Sequence, residues 1–252
     1  QRDIPSMIKI ISLNNSLKLL GIHAHIGSQI FDTQPFIDLA DIMMKHAENI
    51  RKTTGITIQE LNLGGGIGIQ YTTDDTPPDI ASVLTPMIEK VKTKCQELAF
   101  PEPMIVVEPG RSISATAGIT LYTIGTIKSI QDIKEYIFVD GGMADNPRPM
   151  MYQSQYTFDI ANVEEARKKK KVSIAGKFCE SGDILATDIE LPDPQVGDIL
   201  IVYGTGAYNY SMASNYNRIC RPSMILVSNG ESRRLVERET YEDLIRNDRC
   251  KF

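Results

Sequence analysis

The first 115 residues alternate strand-like apolar runs with helical stripes, and each run stops at glycine or polar residues. Leu19 to Ile26 reads as a strand closing at Gly27-Ser28. Phe36, Ala40, Met43, Ala47 and Ile50 then keep a helical period, with Thr33 placed as the N-cap and Pro35 in the first turn. Ile58 to Leu63 is a second strand, broken by Gly64-Gly65-Gly66. Ile80, Leu84, Met87, Val91 and Leu98 mark a second helix, which Pro86 is expected to kink or restart. Met104 to Val107 is a third strand, ending at Glu108-Pro109-Gly110-Arg111. Strand, helix, strand, helix, strand at this spacing predicts parallel βαβ units. Folds built from such units place their sites just past the C-terminal ends of the strands.

From about Ala117 the rhythm changes. Ile119 to Ile130, Tyr136 to Val139, Val172 to Ile174, Ile184 to Ala186, Asp198 to Tyr203 and Met224 to Val227 follow one another without long helices. Gly and Pro punctuate them, which predicts an antiparallel β-sandwich or barrel. A short helix is expected over Tyr241 to Asp248. The fold class expected is α/β plus all-β: part of a (β/α)8 barrel over residues 1–115, then an antiparallel β domain over 116–252. About three βα units are too few to close an eight-stranded barrel. The β-strand edges and apolar faces of such a piece would be exposed.

Composition narrows the function classes. A net charge of −5 carries no nucleic-acid footprint. The one basic block, Arg167 to Lys171, reads as a solvated helix end or loop. No apolar run approaches the ~20 residues of a membrane helix. The first residues, Gln1, Arg2 and Asp3, are followed by no apolar leader, and the chain does not begin with methionine. The four cysteines, Cys95, Cys179, Cys220 and Cys250, contain no CxxC. They suggest neither a zinc site nor a disulfide framework, so a reducing cytoplasm is the default.

Several clusters carry chemistry. Ala175 to Asp183 packs a cysteine, two carboxylates, a hydroxyl and two glycines between two strand runs, a mix that a strand end does not need for structure. His23 and His25 lie two apart and would share a face of a strand. They fit a metal pair, a ring contact to a flat ligand, or simple packing. Gly64-Gly65-Gly66 allows backbone N–H groups to approach an anion, and it lacks both the dinucleotide and the Walker glycine spacing. Phosphate binding is the favoured reading, against a tight turn. Glu108 could stabilise a protonated ring nitrogen and Arg111 could hold a carboxylate or phosphate, or the two could form a local salt bridge. Asp140 to Met143 and Arg148 to Tyr152 read as one long polar loop. Gly204 to Tyr208 and Ser214 to Asn217 flank tyrosines with small residues, and suit a phosphate contact or a turn. No nucleophile-elbow pattern is present, and no glycosidase carboxylate pair can be assigned.

Taken in order, His25-Ile26-Gly27-Ser28-Gln29, the triple glycine, Glu108-Pro109-Gly110-Arg111, Cys179-Glu180-Ser181-Gly182-Asp183 and Gly206-Ala207-Tyr208 resemble the pyridoxal-phosphate decarboxylases with an alanine-racemase-type barrel. Ser214-Asn215-Tyr216-Asn217 and the long Cys-Glu-Ser-Gly-Asp run favour the diaminopimelate branch over the ornithine and arginine ones. The resemblance covers nearly the whole chain. It implies decarboxylation of meso-2,6-diaminopimelate to L-lysine and CO2, with pyridoxal 5'-phosphate as cofactor and no metal. His25 then resembles the histidine stacked on the cofactor ring, and Glu108 the carboxylate on its nitrogen. Ser28, Gly64, Gly65, Gly66 and Tyr208 resemble the phosphate-holding groups. Arg111, Arg148 and Tyr152, again with Tyr208, resemble the groups that contact the substrate and grip its carboxylate. Cys179 and Glu180 resemble residues that reach into the partner's site of a homodimer, Cys179 with a catalytic role and Glu180 at the substrate's far amino group.

One departure stands out. The family's Schiff-base lysine lies in a Tyr-Ala-x-Lys pattern, which this chain lacks, and no lysine ends a strand run of its first half. The chain is therefore expected to be the C-terminal part of such an enzyme and inactive alone. The alternatives are a decarboxylase of another basic amino acid, a non-catalytic homologue acting as a regulator or partner, and a metal-dependent barrel hydrolase using His23 and His25.

Overall fold

The computed structural model describes residues 4–163 and 167–249. The expectations that involve Gln1, Arg2, Asp3 and Cys250 lie outside the described residues. The chain divides into two units, Gln1–Gln70 with Asp74–Ser114 and Tyr71–Thr73 with Ala115–Phe252. No described helix is long and apolar enough to cross a membrane.

In the first unit the order is α1 (Ile4–Ser12), β1 (Gly21–His23), α2 (Gln34–Thr54), β2 (Glu60–Asn62), α3 (Ile80–Leu98), β3 (Met104–Val106) and α4 (Arg111–Ser114). The three strands are parallel in the order β1-β2-β3, with Ile22 opposite Leu61 and Leu61 opposite Ile105. Each strand is shorter than its apolar run. Past the third residue, Ala24 and Leu63 still donate to Asn62 and Val106, and then left-handed glycines such as Gly64 turn the backbone away. Helix α2 buries Phe36, Leu39, Ala40, Met43, Met44, Ala47 and Ile50 against this sheet's core. Thr33 sits at its N-cap in helical backbone with no side-chain bond, and the Asp32 carboxylate accepts the Gln34 N–H instead. Gly55 closes the helix in the left-handed region. Helix α3 starts at Asp79, whose carboxylate accepts from the Ala81 and Ser82 N–H groups. It runs on through Pro86 without a restart. The carbonyl that loses its partner is that of Ser82, an exposed residue that solvent can satisfy.

The second unit holds β4 (Ile119–Ile130), β5 (Lys134–Val139), α5 (Arg148–Tyr152), β6 (Phe158–Ile160), β7 (Lys169–Ala175), β8 (Ile184–Pro192) and β9 (Ile199–Tyr203). After them come β10 (Met224–Ser228), β11 (Glu231–Val236) and α6 (Tyr241–Ile245). Six strands form one sheet in the order β6-β9-β4-β5-β7-β8, and its outer strands β6 and β8 approach each other, so the sheet curls towards closure. The sheet is mixed rather than antiparallel throughout: β5 and β7 pair in parallel, Tyr136 opposite Ser173. The excursion through α5 and β6 supplies the long crossover that parallel pairing needs. Strands β10 and β11 make a separate hairpin across Asn229-Gly230, both in the left-handed region.

Two further expectations are corrected here. Lys169–Lys171 open strand β7, and the block is ion-paired: Lys170 with Glu135 at 2.7 Å and Asp193 at 3.5 Å, Arg167 with Asp198. Arg148 to Tyr152 is a helical turn rather than loop, because Pro149 suits a helix start and Gln153, left-handed, donates back to the Arg148 carbonyl.

After β9 the chain is tied down by Glu239. One of its oxygens accepts from the Arg221 guanidinium, the other from the Arg221 N–H at 2.8 Å and from Asn215 Nδ2 at 2.6 Å. The Arg221 guanidinium, above all, holds the Glu239 carboxyl down at about 2.

Two outcomes follow from this packing. Leu61 is fully buried on the central strand of the first unit, so Leu61→Ala should cost about 2–5 kcal/mol in urea unfolding. Glu239 is ionised more readily folded than unfolded, so its stabilisation is present above the ordinary value of 4.5 and lost as pH falls through about 2. Unfolding midpoints measured from neutral to acid pH should show that loss in the parent, and Glu239→Gln should remove that part of the pH dependence.

Candidate active site

The first unit gathers its polar residues past the ends of β1, β2 and β3, as βαβ folds do. Asn62, the last residue of β2, organises them. Its Nδ2 donates to Glu108 Oε1 at 2.8 Å and its Oδ1 accepts the Gly64 N–H at 2.9 Å. Glu108 Oε2 lies 3.6 Å from His23 Nε2, with both side chains about half exposed. His25 lies beyond the strand proper and accepts the Gly65 N–H on Nδ1 at 3.1 Å. That bond fixes Nδ1 as the unprotonated nitrogen and leaves the Nε2 side of an exposed ring free to meet a ligand. His23 and His25 therefore have different partners. Among the described residues, no group of three His, Cys, Asp or Glu side chains could hold a metal.

All three glycines of the loop have steric reasons. A Cβ on Gly65 would fall on the Glu108 carbonyl oxygen, and one on Gly66 on the Gly27 carbonyl oxygen. Gly64 and Gly66 also have φ of 67° and 98°. Close packing of three loops thus accounts for the glycines by itself. The Gly64 and Gly65 N–H groups are already bonded within the protein, which leaves those of Gly66 and Ile67, among the described residues, to face an anion. Ser28 lies nearby in sequence to this loop's neighbour Gly27. Its exposed Oγ accepts from the Arg111 guanidinium at 2.7 Å. Arg111, 9% exposed at the start of α4, is therefore brought to Ser28.

The second unit builds a different cluster around Arg148, which is 9% exposed. Its Nε donates to the Tyr156 hydroxyl at 3.0 Å and one NH2 to Ser154 Oγ at 3.1 Å. The rings of Tyr71, Tyr152 and Tyr208 surround the guanidinium with their centroids 5.8, 5.6 and 5.4 Å away. No described carboxylate pairs with Arg148. A buried cation with neutral partners alone keeps a strong pull on an anion. Tyr208 itself is left-handed, φ 66°, and partly exposed like Tyr152. Burial raises the Tyr156 phenol. The structure thus places Arg148, Tyr152 and Tyr208 together in this unit, and His25, Ser28, Gly64, Gly65, Gly66, Glu108 and Arg111 together in the first.

Cys179 and Glu180 are exposed on the loop between β7 and β8. The Cys179 N–H is held by Asn217 Oδ1 at 3.1 Å, and Glu180 Oε2 accepts from the Tyr216 hydroxyl at 3.4 Å. Asn217 adopts left-handed backbone to do so, φ 54°. Sequence reasoning passed over Asn62, Tyr71, Ser154 and Tyr156. Only Asn62 had a legible signal, a lone amide inside the apolar run Ile58 to Leu63.

The family model described as "pyridoxal-dependent decarboxylase, pyridoxal binding domain" matches residues 3–115. The diaminopimelate decarboxylase of Bacillus subtilis (strain 168) is 47% identical over 241 residues, covering 96% of this chain and 55% of that protein. The one from Synechocystis is 45% identical, covering 97% of this chain and 52% of that protein. The crystal structure of diaminopimelate decarboxylase from M. jannaschii in co-complex with L-lysine superposes with a TM-score of 0.91 at 37% identity, over 98% of this chain and 56% of that one. The chain spans about half the length of the curated relatives it matches. Residues 3–115 thus match the pyridoxal binding domain of the pyridoxal-dependent decarboxylases, and the chain is a homologue of roughly half of a diaminopimelate decarboxylase.

Proposed function

We propose that the full-length protein decarboxylates meso-2,6-diaminopimelate to L-lysine and CO2 with pyridoxal 5'-phosphate. The observation that carries this reading is the joining of His25, the triple glycine and Glu108 by single hydrogen bonds around Asn62 and Gly65. Those residues fit the cofactor. A flat, exposed imidazole suits a pyridine ring, a carboxylate suits its protonated nitrogen, and two unbonded amides with Ser28 and Arg111 suit a phosphate. When bound, the cofactor supplies a sink for the charge left on Cα as CO2 departs. Glu108 holds a proton at the ring nitrogen, since an opposite charge favours the charged form. Asn62 fixes the carboxylate for that task. Gly65 holds His25 so that its ring is presented edge-fixed rather than rotating.

The second unit's cluster is proposed to take a carboxylate of the substrate. Arg148 would meet it through its remaining N–H groups, and the rings of Tyr152 and Tyr208 would exclude water around it. Exposed Cys179 and Glu180 are proposed to serve the partner's site in a homodimer, Glu180 at the far ammonium group. The free thiols of Cys95, Cys179 and Cys220 are consistent with a reducing cytoplasm, which we propose as its location. We further read β1-β2-β3 as a segment of an eight-stranded barrel and the curled sheet of the second unit as its following β domain. No lysine lies on β1, β2 or β3, so this chain by itself is proposed to be inactive.

The test is CO2 release by the full-length protein from meso-diaminopimelate, ornithine and arginine. Turnover of the first alone supports the reading, and turnover of none overturns it. Glu108→Gln should lower kcat by about 10- to 1000-fold, because an adjacent opposite charge shifts proton affinity by one to three powers of ten. Arg148→Lys should raise KM by about 10- to 100-fold with less effect on kcat, the worth of a charge-assisted hydrogen bond.

A further inference from the structure

The loop from Gly176 to Asp183 presents Cys179 and Glu180, and its closing residue is a buried carboxylate. Asp183 is 3% exposed. Its Oδ2 accepts the Phe178 N–H at 2.8 Å, inside the same loop. Its Oδ1 accepts the Met143 N–H at 2.7 Å, in the turn between β5 and α5. The Asp183 carbonyl accepts the Gly176 N–H at 2.9 Å, and the Lys177 N–H reaches the Gly141 carbonyl at 3.0 Å. Gly142 and Gly176 close over the carboxylate, and a Cβ on either would run into its oxygens. Two backbones are thus brought against one carboxylate by removing the side chains that would block them.

No described cation pairs with Asp183. A buried carboxylate satisfied only by amides is costly to desolvate, and burial accordingly raises its carboxyl above the ordinary value. Closing a short turn does not require it. What a carboxylate offers is two acceptor oxygens at once, each facing a different segment. An amide of the same size has one acceptor and one donor, so it must turn its NH2 towards the Met143 or the Phe178 N–H.

We propose that Asp183 is a positioning residue: by joining Phe178 to Met143 it seats the Cys179–Glu180 loop on the β5–α5 turn in the orientation that turnover uses. It acts through that loop and touches neither substrate nor cofactor. The proposal rests on the reading of Cys179 and Glu180 as acting in the decarboxylation.

The test uses full-length protein loaded with pyridoxal phosphate and four forms: the parent, Asp183→Asn, Cys179→Ala/Glu180→Gln, and all three changes together. Amide exchange at Met143 or Phe178 should accelerate in Asp183→Asn. Its kcat/KM for meso-diaminopimelate should fall about 10- to 100-fold, the effect of misplacing a group by about 1 Å. In the Cys179→Ala/Glu180→Gln background the same change should cost nothing more, because the loop it seats no longer contributes. An equal loss in both backgrounds, or unchanged exchange, overturns the positioning role alone. A Cys179→Ala/Glu180→Gln protein with parental turnover overturns the functional reading of the loop and this proposal with it. Should Asp183→Asn fail to fold, Gly176→Ala carries the same comparison, since its methyl displaces the carboxylate and leaves its charge in place.

Discussion

The candidate site of the first unit takes its form because three loop backbones approach more closely than any Cβ permits. Gly65 lies against the Glu108 carbonyl and Gly66 against the Gly27 carbonyl, so the ends of β1, β2 and β3 are drawn to one place. Once there, Asn62 and His25 take up the N–H groups of Gly64 and Gly65 and so convert a steric contact into fixed side-chain directions. Glu108 is oriented by the same amide. The glycines act first on packing and only then on ligand chemistry. Amides that hold His25 and Asn62 are not available to a phosphate, and the anion-facing capacity of the loop moves on to Gly66 and Ile67.

This explains what could be read from the sequence and what could not. Helices α2 and α3 were legible because their apolar stripes keep a strict period, and β4 because twelve residues of strand-forming character run unbroken. The strands of the first unit were over-read because an apolar run marks burial, and burial here continues past the last strand residue, Asn62, into Leu63, Gly64 and Gly65. Strand β11 was missed although Asn229-Gly230 is a strong hairpin signal, because Glu231 to Val236 is polar and exposed. The parallel pairing of β5 with β7 has no local signature at all. It depends on where the excursion through α5 and β6 returns.

The candidate site divides along the same line. Residue types with unusual company, His25, the glycines, Glu108 and the Cys179–Asp183 run, were visible as motifs. The groups that hold them were not. Asn62, Tyr156, Ser154 and Asn217 are ordinary residues in sequence, and their roles come from hydrogen bonds that span from 6 to 46 positions, helped at Asn217 by a left-handed backbone. Arg148 shows the limit well. Its type suggested carboxylate binding, but a basic residue in a helical turn is unremarkable until it is found buried among tyrosines with no described carboxylate beside it.

Buried Arg148 and Asp183 share one feature that buried Asp198, ion-paired with Arg167, does not. Each charge is withdrawn from water and left without a described counter-ion, and each is satisfied by neutral groups in a fixed arrangement. For stability alone, apolar residues of similar size would serve as well or better. What neutral partners cannot do is cancel the charge, so Arg148 still attracts an anion and Asp183 still holds two amides in one geometry. The Arg148 guanidinium is held by hydroxyls and aromatic rings, which leave its charge uncompensated. Asp183 turns its charge inward on backbone, which makes it a mechanical part of the fold. Glu239 is the contrasting case: paired with Arg221 and held near a pKa of about 2, it serves stability and has no charge left to offer.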